Sequence, residues 1–205
     1  MNNFILNFVY KIYILWGTMI DVFKITNSIL DENTYFVVWD NNCLIIDPGF
    51  DFDKILTFID SKKVKVLGIL LTHGHFDHIA SCKKLQNFGY KIYISKYDKD
   101  KCLDNKLNVA SSMNMTIECF NPDYLISNED NLVFNGLNVK VLHTPGHSKG
   151  GLSFVIENHL FSGDTLFEHG YGRYDLQDGN FRELISSLKV LLKYVKQGFI
   201  LHPGH

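Results

Sequence analysis

The sequence predicts an α/β (α+β) fold in one domain, on three observations. Short apolar runs of strand length recur along the chain, amphipathic helical stretches fall between them, and one run, 64–71, is apolar almost throughout. A run without alternation is what a strand buried on both faces requires. At 205 residues and 46% hydrophobic content, the chain can bury one sizeable core.

The first strands are expected at 22–26, 34–39 and 43–47, the last two joined by the turn-prone Asp40-Asn41-Asn42 in an antiparallel opening. Phe52, Ile55, Leu56 and Ile59 fall at i, i+3, i+4 and i+7, a helical face with Asp51 as its expected cap. After the 64–71 strand, Ile79, Cys82 and Leu85 continue at helical spacing until Gly89. A strand at 90–94 and a short helix at 95–103 follow. The stretch 104–131 has no sustained period; it reads as a surface excursion near the site mouth, with Met113 and Met115 as packing residues. Asn135-Gly136 separates the strand runs 132–134 and 137–142 as a hairpin turn, and a further strand pair is expected at 152–156 and 159–162. Asn180 with Glu183 opens a long helix. Its expected buried stripe is Phe181, Leu184, Ile185, Leu188, Leu191, Leu192 and Val195, closed by Gly198. A last strand at 199–201 runs into His202.

Composition bounds the function. Lys plus Arg number 20 against 22 Asp plus Glu, a net charge of -2 without a basic cluster, so neither nucleic acid nor a membrane surface is an expected partner. Cys43, Cys82, Cys102 and Cys119 lie far apart with no C-x-x-C pair, and read as reduced, space-filling thiols of a cytoplasmic protein. The apolar segment 4–20 is interrupted by Asn7 and Lys11 and lacks a basic start and a small-residue cleavage site, so it reads neither as a membrane span nor as a signal peptide. Trp16-Gly17 must be encoded as TGG followed by GGN, a G-rich run where a bacterial ribosome-binding site would precede Met19. Residues 1–18 are therefore expected to be an untranslated extension, and 19–205 the domain.

The chemistry concentrates in Thr72-His73-Gly74-His75-Phe76-Asp77-His78, directly after the buried run. Three imidazoles and a carboxylate this close have metal-ligand spacing, and a nitrogen and oxygen donor set without thiolate suits Zn, Fe or Mn. An apolar strand ending in Gly-His recurs at Gly146-His147 and Gly204-His205. Strand ends at one rim of a sheet can bring such residues together from distant parts of the chain.

With His143-Thr144-Pro145-Gly146-His147-Ser148, Phe161-Ser162-Gly163-Asp164-Thr165-Leu166-Phe167 and Pro203-Gly204-His205, this motif resembles the metallo-β-lactamase superfamily. Within it, the chain is similar to the small glyoxalase II-like (hydroxyacylglutathione hydrolase-like) enzymes. The resemblance implies an αββα four-layer sandwich with the site at one edge. It implies that His73, His75 and His147 hold one divalent metal, that Asp77, His78 and His205 hold a second, and that Asp164 bridges both. Zinc is favoured, with iron and manganese as alternatives. A metal-bound hydroxide oriented by Asp77 would then cleave a small thioester or related acyl ester. Gly172-Arg173-Tyr174-Asp175-Leu176 resembles a G-R-x-D-L stretch of the same hydrolases. Arg173 reads first as an internal partner of Asp175 and second as a substrate-carboxylate contact; Lys149 reads as an exposed lysine, with contact to an anionic substrate as its functional alternative. His143, His159, His169 and His202 read as surface or supporting histidines, with His143 able to orient the loop ahead of His147.

The chain departs from the family's larger members in three respects. Asp164 stands where antibiotic-hydrolysing members place a Cys ligand, which argues against β-lactam hydrolysis. The helical domain with which full-length glyoxalase II grips glutathione has no counterpart. Family members also continue past the final Gly-His, so the domain reads as truncated and the second metal site as loosely held. Two other functions stay open: a mononuclear iron persulfide dioxygenase using His73 or His75 with His147 and Asp164, and a non-catalytic metal-binding remnant. Lactonases and RNA phosphodiesterases use similar ligands, but the lack of a basic cluster weighs against RNA.

Overall fold

The computed structural model describes residues 18–127 and 130–205, so the extension expected at 1–18 lies outside the described residues except for Thr18. Six strands form one sheet in the order β1 (Asp21–Thr26), β2 (Asn33–Trp39), β3 (Asn42–Ile46), β4 (Lys65–Leu70), β5 (Ile92–Ser95) and β6 (Tyr124–Ile126). β1, β2 and β3 pair antiparallel, and β3 to β6 pair parallel. Parallel neighbours need crossovers. Helix α1 (Phe52–Lys62) carries the chain from β3 to β4, and the short helices α2 (Phe76–Ile79) and α3 (Cys82–Asn87) carry it from β4 to β5.

The second sheet has β7 (Asn131–Phe134), β8 (Leu137–His143), β9 (Leu152–Ile156), β10 (His159–Gly163) and β11 (Ile200–Pro203), in the spatial order β11-β10-β9-β8-β7. It is antiparallel except where β11 lies parallel to β10 after the crossover helix α4 (Phe181–Lys196). Asn135 and Gly136, at φ 45° and 89°, make the tight turn of the β7–β8 hairpin that this dipeptide favours.

The period of two along β2 sorts the core into layers. Phe36 packs with Ile55, Cys82 and Leu85 on the helical side of the first sheet. Its neighbours Tyr35 and Val37 pack with Val139, Phe154 and Phe161 between the sheets. On the far face of the second sheet, Leu184, Leu188 and Leu191 of α4 cover Val155 and Leu160. Helix, sheet, sheet and helix make an αββα sandwich, and β3, covered on both faces, buries all its residues.

Several expectations are corrected. Asp51 makes no side-chain cap to α1; it accepts hydrogen bonds from the Ser28 amide (3.1 Å) and hydroxyl (2.6 Å) and pairs with Lys54. The helix expected through Ile79, Cys82 and Leu85 breaks into α2 and α3. Ser81 turns toward the 48–49 stretch, donating its amide to Pro48 O and its hydroxyl to Gly49 O. Burial of β4 is confined to its second half, the end that leads to the ligands. Phe181 and Leu192 are exposed because the sheet-facing stripe of α4 is Leu184, Leu188 and Leu191; Phe181 rests on Tyr174 instead. Cys119 is exposed, unlike the other three cysteines. β6 falls inside the stretch read as irregular. No helix among the described residues is long and apolar enough to cross a membrane.

Candidate metal centre

Strands β8 and β10 both run antiparallel to β9, and β11 runs parallel to β10, so the carboxyl ends of these three reach one rim. They lead into His147, Asp164 and His205 respectively. From the facing sheet, β4 delivers His73 and His75, and α2 carries Asp77 and His78. Thr72 ties the rims together: its carbonyl accepts from the Leu152 amide at 2.7 Å. Two glycines permit the close approach. Gly163 takes φ 50° with its Cα against the Thr72 side chain, and a Cβ on Gly204 would collide with the Asp164 carboxylate.

The metal ligands expected from the sequence therefore converge. His73, His75 and His147 form one group and Asp77, His78 and His205 another, with ligand atoms inside each group within 4.8 Å of one another. Asp164 lies between them: Oδ2 is 3.5 Å from His147 Nε2 and 3.6 Å from His205 Nε2, and Oδ1 is 3.4 Å from His78 Nε2. Asp77 Oδ2 is 3.5 Å from His205 Nε2.

Four of the five imidazoles are oriented through their outer nitrogen. Nδ1 of His147 donates to Arg173 O (2.7 Å), that of His205 to Leu30 O (2.9 Å), and that of His78 to Asp47 Oδ2 (3.0 Å). Thr72 Oγ1 donates to Asp47 Oδ2 (2.6 Å) and so accepts from His73 Nδ1 (3.1 Å). Each of these rings then turns Nε2 toward the centre, as ligand histidines with fixed outer partners do. His75 is inverted, aiming Nδ1 at His147 Nε2 across 2.9 Å.

The residues fit divalent ions. Nε2 of His73 and His78 and Oδ1 of Asp164 are buried without a hydrogen-bond partner, as is the outer Nε2 of His75. Orphaned buried polar atoms are uncommon in folded proteins, and here those of His73, His78 and Asp164 face the centre. Burial and the neighbouring imidazoles hold His73 and His75 well below the usual histidine range, which leaves them neutral and ready to coordinate. Burial alone would lower His78 too, but Asp164 and Asp77 outweigh it and hold it well above. Asp164 is held well below the carboxylate range: burial opposes this, but His78, His147 and His205 prevail.

Beside the centre is a cavity of about 220 Å³. His75, Asp77, His147 and Asp164 form its polar floor; Leu30, Phe76, Val109, Met113 and Leu176 form its walls, with Ser112 and Arg173. A larger cavity of about 690 Å³ lies on the β1 and β11 side of His205, among Lys24, Tyr35, Phe167, His169 and His202.

The family model described as the Metallo-beta-lactamase superfamily matches residues 29–205. The chain belongs to that superfamily. It is 34% identical over 177 residues to the hydroxyacylglutathione hydrolase GloC of Haemophilus influenzae, covering 82% of this chain and 83% of the relative. The crystal structure of the BLEG-1 B3 metallo-β-lactamase superposes with TM-score 0.86 at 31% identity, covering 90% of this chain and 91% of that one. TTHA1623 in a di-iron-bound form gives TM-score 0.77 at 31% identity, covering 89% and 91%. The superfamily is largely one of metallo-hydrolases, and the His and Asp clusters mark this member as a divalent-metal protein.

Within this site, Arg173 reaches the cavity wall but its guanidinium is engaged by Asp175 at 2.8 and 2.9 Å, as its structural reading expects. Lys149 is not among the cavity's lining residues; its ammonium lies 5.9 Å from the Tyr97 ring centroid. His143 Nε2 donates to Lys149 O at 2.9 Å, clasping the loop that carries His147. His159 and His202 stack and share a 2.8 Å hydrogen bond. His205 is firmly tied, against the expectation of a loose end. The Asn33 amide donates to Gly204 O at 2.7 Å and the Gly204 amide to Gly163 O at 3.0 Å.

Supporting residues escaped sequence reasoning. Asp47, in the left-handed region at φ 50°, accepts from the Thr72 amide and hydroxyl and from His78. Asp98, fully buried, accepts from Gly74 N (2.9 Å), Ser148 Oγ (2.9 Å), Gly150 N (2.8 Å) and Lys101 Nζ (3.3 Å). Glu32 is buried with Oε1 3.8 Å from His78 Nδ1, and burial pushes its carboxyl well up. Asn108 accepts the Phe76 amide at 3.0 Å. Only Asp47, ending an apolar strand in Asp-Pro-Gly, had a visible local signal.

Proposed function

We propose that this protein is a cytoplasmic metal-dependent hydrolase of a small acyl thioester, of the hydroxyacylglutathione kind or close to it. The observation that carries the reading is the seven-donor centre beside a small cavity whose described lining offers no free general acid: its titratable residues are ligands or the paired Arg173. A thiolate leaves without protonation at neutral pH more readily than an amide nitrogen or an alkoxide, because a free thiol has a pKa of about 8.5. The GloC relationship supports the same substrate class. Buried free Cys43, whose thiol burial pushes up to about 12, suits a reducing compartment.

Bound divalent ions would lower the pKa of a coordinated water toward about 7 and polarise the substrate carbonyl. The donor set suits Zn, Fe or Mn; zinc is the first choice, and the di-iron form of TTHA1623 makes iron the competitor. His73, His75 and His147 would hold one ion, Asp77, His78 and His205 the other, with Asp164 shared. Asp77, on the cavity floor, orients water toward the carbonyl carbon. The water oxygen bonds to that carbon and gives up a proton to solvent, the C–S bond breaks, and the sulfur leaves with the electron pair as a thiolate that takes up a proton from solvent; the carboxylic acid and thiol are the products. The full second group of donors favours two ions, and hence hydrolysis, over a mononuclear iron oxygenase.

Metal analysis of protein purified without added metal, combined with thiol release from a hydroxyacylglutathione, tests the reading. Two ions per chain and turnover are expected, and Asp164→Ala should lose both. Turnover with full metal content in that variant overturns the ligand assignment. Cleavage of a chromogenic cephalosporin without thioester cleavage establishes the β-lactamase alternative, and oxygen uptake with glutathione persulfide on one iron the oxygenase.

A further inference from the structure

The segment carrying the 3-10 turn Ala110–Met113 forms one wall of the small cavity through Val109 and Met113. It is held in register with the metal ligands. Asn108 O accepts the Phe76 amide, between His75 and Asp77 in sequence, and Asn108 Nδ2 donates to Lys101 O at 3.1 Å. Its Oδ1 accepts from the Ala110 amide at 3.0 Å. Val109 sits at φ 65°, a conformation that β-branched residues rarely adopt. Side-chain groups on this wall are satisfied or apolar: Ser112 Oγ donates to Val109 O at 2.7 Å, and Met113 is half exposed at the mouth.

We propose that Val109 and Met113 are an acyl-selecting wall, and that the acyl group admitted is short and uncharged. The limit on length follows from the size of the niche that they wall, about 220 Å³ beside the metal ligands. The cavity is also smaller than the ~300–1,000 Å³ of sites that enclose drug-sized ligands. With Leu30 and Leu176 also in the lining and Arg173 engaged by Asp175, nothing in the wall compensates a charge on the acyl chain. Met113 therefore departs from its sequence reading as a packing residue, whereas Met115 packs on the core. The proposal rests on the thioester hydrolase reading.

The experiment uses metal-loaded full-length protein and N-acetylcysteamine thioesters from acetyl to octanoyl, with thiol release as the readout. In the unmodified protein, kcat/KM should fall at least about tenfold from butyryl to octanoyl, and Met113→Ala and Val109→Gly should each bring that ratio below about threefold. Val109→Gly relieves the left-handed conformation but removes a side chain that packs on the core, so its circular dichroism is compared with that of the unmodified protein. A second readout needs no turnover: with methyl-labelled methionine in the zinc-loaded protein, the non-hydrolysable thioether S-butyl-N-acetylcysteamine should shift the Met113 methyl resonance and the S-octyl analogue should not. Thioester hydrolysis at a ratio unmoved in both variants, without a Met113 shift, overturns the wall and leaves the hydrolase reading standing. No hydrolysis of any thioester overturns that reading and the wall with it.

Discussion

A neutral imidazole offers one lone pair, and the outer hydrogen bond decides which nitrogen carries it. At this centre the acceptors that settle the matter are Arg173 O, Leu30 O, Asp47 and Thr72 Oγ1, none of them a ligand. Asp98 acts one layer further out. It fastens the loop bearing His73 and His75, through Gly74, to the loop bearing His147, through Ser148 and Gly150. Asp98→Asn places an amide donor against groups that themselves donate. The expected result is a loss of about 10- to 100-fold in metal affinity at the three-histidine group, with the fold retained. Competition against a chromophoric chelator measures it, and an unchanged affinity with native circular dichroism counts against the role.

Among the elements, α4 links stability to the site. Asn180 Oδ1 accepts from the amides of Arg182 (3.0 Å) and Glu183 (3.2 Å), and the Asn180 amide donates to Gly146 O at 2.8 Å, one residue before the ligand His147. Asn180→Ala should cost about 1 kcal/mol in urea unfolding at constant m-value. A cost near zero would mean that packing alone defines the helix start. The Asn180 cap and the strand-helix alternation were legible because each rests on near neighbours in sequence. The ligands were legible because their motifs resemble a known family, and a line of residues suffices to quote a motif. Asp98 and Asn108 were not: the contacts that tie them to the site, Gly74, Ser148 and Gly150 for Asp98 and the Phe76 amide for Asn108, come from distant loops, and a lone Asp or Asn in an aperiodic stretch has no signature. β6 was missed for a related reason, since Tyr124 and Leu125 on this edge strand are exposed and show no buried alternation. The stripe of α4 was over-read at Phe181 and Leu192 because a helical period marks every apolar residue near one face, while the sheet covers only part of that arc.

For the molecule as a whole, the centre is a joint between two sheets. First-sheet elements supply His73, His75, Asp77 and His78; second-sheet elements supply His147, Asp164 and His205. Ions that bind only the closed arrangement stabilise the entire sandwich by mass action. With free metal at about a thousand times its Kd, the gain is about 4 kcal/mol for each ion, so about 8 kcal/mol for two. At about 2–4 °C per kcal/mol for a chain of this size, a strong chelator that removes both ions should lower the melting temperature by roughly 16 to 32 °C. Scanning calorimetry with and without chelator checks this, and equal melting temperatures despite proven metal loss would mean that the ions do not brace the sheets.

The hydrogen bond from His205 to Leu30 O spans 175 positions in the sequence. A ribosome adding about 5–20 residues per second exposes the two partners roughly 9 to 35 s apart. For roughly the last 6 to 25 s of that interval, from residue 78 to residue 205, a nascent chain carries the histidines of the 72–78 stretch before all of their partners have been made. The half of the centre carried by the first sheet therefore precedes in synthesis the half carried by the second, and the paired centre comes into being only when the two sheets close on each other.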